Sequence, residues 1–347
     1  MKAKSIKRKS ITELKSALVE TISVEFKPTL SIVFSSVSQY LKGICDVVDA
    51  EGIAIFGCTT NGEFIDEQTE TGSWVMLLMD LNPDYFQIHL EEYPDKNYRE
   101  AGRITAEKVG VSFKTPAFLI GVSHLETNGD EILHGFEEVF GQETNLFEGL
   151  AGDDLGFKDT FVFTNGKISN CGIVCLVLDE SKVEVQGIAT CGWKAIGTEK
   201  TVTKSEGNHI YTVEGIPLLD ITAKYGGLEN VSPDNESLYM ELICNFPLQL
   251  QREKGDPIMR SGVFVDWTDR SFISNGSVPE GSKVRFSVPP DWDVMDKVVK
   301  GVEQLKKERM PEADALVIFS SGELGRATGG NLELLNLTTC CVALKEK

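Results

Sequence analysis

The sequence predicts an α+β fold: mixed β-sheets with helices on their outer faces, built from repeated helix–strand–helix–strand–hairpin units. Three observations carry that reading. Short apolar runs alternate with amphipathic stretches. Some neighbouring strands are joined by tight turns and others by helical crossovers, and the order of elements repeats. Antiparallel neighbours accept a tight turn whereas parallel neighbours need a crossover, so both connection types together imply mixed sheets.

Taken in order, "ITELKSALVETIS" (11–23) has the spacing of an amphipathic helix with charges inside it. The basic stretch before it (Lys2, Lys4, Lys7, Arg8, Lys9) is therefore not the leader of a signal peptide, which would need an apolar run there. Strands are predicted at "TLSIVF" (29–34), "GIAIF" (52–56), "SWVMLLMDL" (73–81), "YFQIHLEEY" (85–93), "PAFLIGV" (116–122), "FVFTNGKI" (161–168), "CGIVCLVL" (171–178) and "KVEVQGIAT" (182–190). "NYREAGRITAEKVG" (97–110) reads as a helix stopped by Gly110. "GDEILHGFEEVF" reads as another, with Ile132, Leu133, Phe136, Val139 and Phe140 on one face and Asp130 as N-cap. Asn165-Gly166 suits a type I′ hairpin turn.

Residues 11–93 and 97–190 follow matching orders, which indicates a duplication inside an N-terminal domain spanning 1–195. Residues 196–347 form a second domain. Its strands "HIYTVE", "SGVFVDW", "SFISNG" and "KVRFSV" are broken by Pro, Gly, Asn and Asp, and a long amphipathic helix over 291–309 precedes the strand "ADALVIFSS".

Net charge is −19, from 34 basic and 53 acidic residues, which repels nucleic acid and anionic lipid. No apolar run is long enough to span a membrane. Eight cysteines without any C-x-x-C spacing give no zinc or redox motif and suit a reducing, cytoplasmic setting. No glycine-rich phosphate cradle is present.

Candidate chemistry gathers in three turns at strand ends. "CTTNGEF" offers Cys58, Thr59, Thr60, Asn61, Gly62 and Glu63; "GLAGDD" offers Gly152, Asp153 and Asp154; "SSGELGR" offers Glu323 and Arg326. Carboxylates for an ammonium, with hydroxyls and backbone N–H groups for a carboxylate, suit a small zwitterion such as an amino acid or derivative. Each residue type is also what a tight turn needs. Adjacent Asp153 and Asp154 lack the oxygen-rich spacing of a hard-cation loop, so no metal is expected. Cys58 at a strand end raises the alternative of a thiol hydrolase, for which His124 is the base a crevice would place nearby. His124 is also the candidate axial ligand should a haem be bound; otherwise no cofactor is expected. His89 and His134 fall on polar faces, and His209 shares a strand face with Tyr211 and Val213.

The segment 191–227, with Gly192-Trp193, Gly197, Val202-Thr203, "NHIYTVEG" and Pro217, resembles the C-terminal half of FIST proteins (F-box and intracellular signal transduction). "NFPL" (245–248), "IMRSG" (258–262) and "NGSVPEGSKVRF" (275–286) are similar to later blocks of that family, and "FGCTTNGEF", "GLAGDD" and "TFVFTNG" to its N-terminal domain. The last unit departs from the pattern. "VIFSS" passes straight into "GELGRATGG", as if two similar turns had been joined, so one helix and one strand look absent. The resemblance implies a cytoplasmic small-ligand sensor, with haem-based nitric oxide sensing as an alternative. Its output would pass through a separate partner such as a histidine kinase or chemoreceptor. The shortened unit predicts an exposed sheet edge and association, a homodimer included.

Overall fold

The first unit opens with a strand that its basic residues disguise. β1 (Lys2–Arg8) lies at a sheet edge, burying Ile6 while Lys2 and Lys4 reach solvent. Charged side chains on an edge strand oppose pairing with further chains. α1 (Ile11–Thr21) follows, started by a capping box: the Ser10 hydroxyl accepts the Glu13 N–H and donates to the Glu13 carboxylate. Then come β2 (Leu30–Ser36), α2 (Leu41–Asp49), β3 (Ala54–Thr60), the small hairpin β4 (Glu63–Ile65) and β5 (Gln68–Glu70), and β6 (Trp74–Asp80). β6 pairs antiparallel with both β1 and β2, and β3 lies parallel to β2. The computed structural model describes residues 1–65, 68–110, 112–154, 156, 158–190, 193–229, 231–234, 246–252, 257–288, 300–305, 307, 310–320 and 339–347.

The second unit repeats this order: β7 (Phe86–Glu92), α3 (Tyr98–Gly110), β8 (Pro116–Val122), α4 (Gly129–Phe140), β9 (Leu146–Leu150), the hairpin β10 (Val162–Phe163) and β11 (Ile168–Ser169), and β12 (Gly172–Asp179). Strand order β7-β12-β8-β9 reproduces β1-β6-β2-β3, again with one parallel pair, β8 with β9. Each unit thus opens one strand earlier than the helix-first pattern of the sequence suggested, because β7 pairs with β12 and not with the first sheet.

β13 (Val183–Thr190) opens a third unit, and the chain then leaves it. It builds β14 (Lys194–Glu206), β15 (His209–Val213), β16 (Ile216–Pro217), α5 (Leu218–Tyr225), β17 (Leu248–Leu250), β18 (Ile258–Arg260), β19 (Gly262–Asp266), β20 (Ser271–Ser274) and β21 (Lys283–Val288), whose strands form one eight-stranded sheet with a core of its own. The chain returns in β22 (Ala315–Ser320) and β23 (Thr339–Glu346). The order β13-β23-β22, antiparallel throughout, matches β1-β6-β2. β22 therefore takes the place of β2, and "LVIFSS" (316–321) echoes "SIVFSS" (31–36). Among the described residues the third sheet has three strands, and the stretch 321–338, where a counterpart of β3 would fall, lies outside them. Most of the helix expected over 291–309 also lies outside; 300–304 are helical.

The three sheets turn one face each toward a shared core. Leu30 and Ile32, Ala117 and Leu119, and Ala315 and Val317 occupy matching positions in it. Their opposite faces carry separate clusters under α1 and α2, under α3 and α4, and under Leu305 and Met310. Strands buried on both sides read as unbroken apolar runs, which is how the sequence announced them. The fold is α+β, as expected.

Two local expectations change. Asn128, not Asp130, is the N-cap of α4. Asn165-Gly166 does turn a hairpin, closed by the Thr164 N–H on the Lys167 carbonyl, yet neither residue has positive φ, so the turn is not type I′. Asn165 instead clamps the first unit: its Oδ1 accepts the Ile55 N–H at 2.9 Å, and its Nδ2 donates to the Ile53 carbonyl at 2.8 Å.

Candidate functional site

β3 and β9 end side by side, because β10 pairs with β3 and draws the second unit's turn across the first. The two turns then bond to each other. Gly152 N–H donates to the Thr59 carbonyl at 2.8 Å, Asp154 N–H to the Thr60 carbonyl at 3.1 Å, and Asp153 N–H to Asn61 Oδ1 at 3.0 Å. Gly152 is required by this approach, since a Cβ there would stand 2.5 Å from Asn61 Oδ1. Thr59 is fully buried and exchanges hydrogen bonds with Phe161. Two of the three turns singled out in the sequence thus lie side by side.

What they do differs from one to the next. Glu63 is 1% exposed and both oxygens are engaged: Thr60 Oγ1 donates at 2.7 Å to one, and the Ser73 hydroxyl and N–H at 2.9 and 3.2 Å to the other. Burial pushes its carboxyl up, those hydrogen bonds pull it down, and Asp154 adds a further upward push. Glu63 is thus a structural brace. Asp153 is buried, and Lys158 N–H donates to its Oδ2 at 2.6 Å.

Asp154 stands apart. It holds a left-handed backbone, φ 57°, and accepts the Ser36 hydroxyl on Oδ2 at 2.6 Å, while Oδ1 is sealed from solvent with no hydrogen-bond partner among the described residues. Ser36 is in turn 2.6 Å from the Ser38 hydroxyl. An unpaired buried carboxylate oxygen is costly, so such an atom marks a place where a donor belongs. Ser36, Ser38 and Ser73 escaped the sequence reading; the repeated "VFSS" and "IFSS" strings were the available signal for Ser36. Glu323 and Arg326 lie outside the described residues.

Cys58 is buried beside Gly121, and burial alone pushes its thiol far up, away from the thiolate a nucleophile needs. His124, φ 96°, donates its N–H to Thr160 Oγ1 at 2.8 Å, and its Nδ1 accepts the Glu126 N–H at 3.3 Å. A neutral ring so held keeps its proton on Nε2 and offers iron no lone pair there, so this environment does not fit an axial haem ligand. Burial, with Lys96, pushes the ring's pKa down.

The surface beyond this site includes a 350 Å³ cleft lined by Asp220 and Lys224 of α5, the segment that follows it and Arg270, remote in sequence from the two turns. No helix among the described residues is long and apolar enough to cross a membrane. No curated protein matches the chain. The family model of the FIST N domain matches residues 29–216, from β2 through β16 and over more than half the chain. That span takes in both turns and the sheets that bring them together, so the chain belongs to the FIST family, whose domains are sensory modules of signal transduction rather than known enzymes.

Proposed function

We propose that this protein reversibly binds a small ammonium-bearing molecule, an amino acid or derivative, at Asp154 and reports occupancy to a separate signalling protein. The observation that carries the reading is the sealed, unpartnered Oδ1 of Asp154, held where two turns and Ser36 meet. An ammonium supplies the missing donor and the missing positive charge together. Ser36 and Ser38 hydroxyls stand beside it for the polar end of the ligand. All six described cysteines are free, which supports action in a reducing compartment such as the cytoplasm. The output passes to a partner of the histidine-kinase or chemoreceptor kind.

A thermal-shift screen of amino acids and polyamines tests this. Ligand at a hundredfold over its Kd adds about 2.7 kcal/mol if it binds only the native state. For a chain of this size that raises Tm by roughly 2–4 °C. Asp154→Asn is expected to abolish the shift and leave the unliganded melt in place. A hit that survives Asp154→Asn, or a screen in which no amine shifts the melt, overturns the assignment.

A further inference from the structure

On the inserted sheet, far in sequence from the ligand turns, His209, Asp266 and Asp269 bring a ring nitrogen and two carboxylate oxygens within 4.8 Å of one another. Their placement follows from strand pairing. Asp266 ends β19 directly opposite Ser271 of β20, and His209 of β15 lies opposite Ile273, so His209, Ser271 and Asp266 share one face of the sheet. Asp269 closes the hairpin between β19 and β20.

Each group is already oriented. Thr268 N–H and hydroxyl donate to Asp266 Oδ1 at 2.9 and 2.6 Å, and Ser271 N–H and hydroxyl to Asp269 Oδ1 at 3.1 and 2.5 Å. Those bonds occupy one oxygen of each carboxylate, leaving Oδ2 of each without a protein partner among the described residues. His209 Nε2 is 2.5 Å from the Ser271 hydroxyl, and its ring stacks on Tyr211 with centroids 4.1 Å apart. Carboxylates and imidazoles that bind metals are characteristically fixed by such outer hydrogen bonds. Arg270, the one cation in the turn, faces away to Asp220 at 2.6 Å, and neither Asp266 nor Asp269 forms an ion pair among the described residues. The hydrogen bonds from Thr268, and then His209, hold the Asp266 carboxyl below the usual range.

We propose that His209, Asp266 and Asp269 bind one divalent transition-metal ion of the Mn²⁺ to Zn²⁺ series. One imidazole with two carboxylates suits these ions, and water completes the coordination because Asp269 is exposed. The bound ion ties the β19–β20 hairpin to β15 and stabilises the inserted sheet.

Mn²⁺ is the probe, because it avoids thiols and the eight cysteines then do not compete. Titration followed by electron paramagnetic resonance is expected to show one saturable Mn²⁺ per chain, displaced by Zn²⁺. His209→Gln, Asp266→Asn and Asp269→Asn are each expected to weaken it at least tenfold, with far-UV circular dichroism confirming the fold. In the wild-type protein Mn²⁺ is expected to broaden the proton resonances of one histidine ring of the four, a readout that needs no variant. The absence of a saturable signal, equal binding by the Asp266→Asn/Asp269→Asn double variant, or uniform broadening of all four histidines overturns the proposal.

Discussion

The first and second units share a strand order, yet one register position carries Gly57 in the first and Glu148 in the second. Gly57 lies opposite Val33 and Glu148 opposite Ile120, each one step past an inward-facing residue of its central strand. Over Gly57 the second unit folds the β10 hairpin, and Phe163 sits so close that a Cβ would stand 2.2 Å from its ring. Over Glu148 the described residues place no such apolar lid. α4 approaches through Gly129, whose added Cβ would be 3.0 Å from the Glu148 carboxylate, and beside it Asp130 pairs with Arg260 of the inserted sheet. Arg260 also donates to the Ser277 carbonyl at 3.0 Å, and Ser277 N–H to Asp130 at 2.9 Å. One scaffold has thus been closed by an apolar hairpin in its first unit and by a polar clamp in its second. Among the described residues the clamp leaves two buried polar atoms without hydrogen-bond partners, Glu148 Oε1 and Asn128 Oδ1.

The apolar closure breaks most expensively. Phe163 is fully buried, and Phe163→Ala is expected to cost about 3–5 kcal/mol in urea denaturation. Gly57→Ala alone should destabilise by crowding the ring, yet be better tolerated in the Phe163→Ala background, because the two residues fill the same space. Additive losses would mean that Gly57 is there for some other reason.

The polar closure is expected to show itself through pH. Burial, reinforced by Asp130 and opposed by Arg260, pushes the Glu148 carboxyl up to about 8, from an ordinary value of 4.5. Between those values the folded protein keeps a proton that the unfolded chain has released. The contribution is therefore complete below the unfolded value and is lost as pH rises toward 8, by at most about 1.4 kcal/mol per pH unit. Glu148→Gln should remove most of that slope between pH 5.5 and 8 and leave the variant the more stable protein at pH 8. Some slope should persist, since the Glu63 carboxyl is also raised. An unchanged slope in Glu148→Gln would show that the clamp tolerates a carboxylate there.

Which parts of this contrast a reader of the sequence could see follows from where each element is buried. β2, β3, β6, β8 and β12 are covered on both faces, so they appear as apolar runs and were legible. β1 was not, because an edge strand of alternating Lys and small residues has no such run. The third unit was obscured by residues 194–288, which separate β13 from β22 and hide their pairing partner β23. The turns were legible as turns, from Gly, Asn and Asp. Their roles were not, because Ser73 braces Glu63 and Ser36 holds only Oδ2 of Asp154, contacts that only the folded sheet creates. Glu148 gave no signal either: a single acid in a short strand reads as a solvent-facing residue until α4 packs against it.

The smallest expected effect concerns the caps of the two matching helices. α2 starts at Tyr40 and α4 at Asn128, and neither side chain makes a capping bond. Tyr40 is 63% exposed, whereas Asn128 is 4% exposed and donates its Nδ2 to the Ser277 hydroxyl at 2.9 Å. A residue type favoured as a helix cap has therefore been turned outward to hold the inserted sheet. Asn128→Ala should cost about 0.5–1.5 kcal/mol, the range for one hydrogen bond. The location of the loss matters more than its size. Hydrogen exchange should accelerate around 275–278, where Val278 N–H bonds to the Gly207 carbonyl, while the first turn of α4 keeps its protection. Fraying of α4 with 275–278 unaffected would mean that Asn128 serves its own helix after all, and that the clamp rests on Asp130 and Arg260 alone.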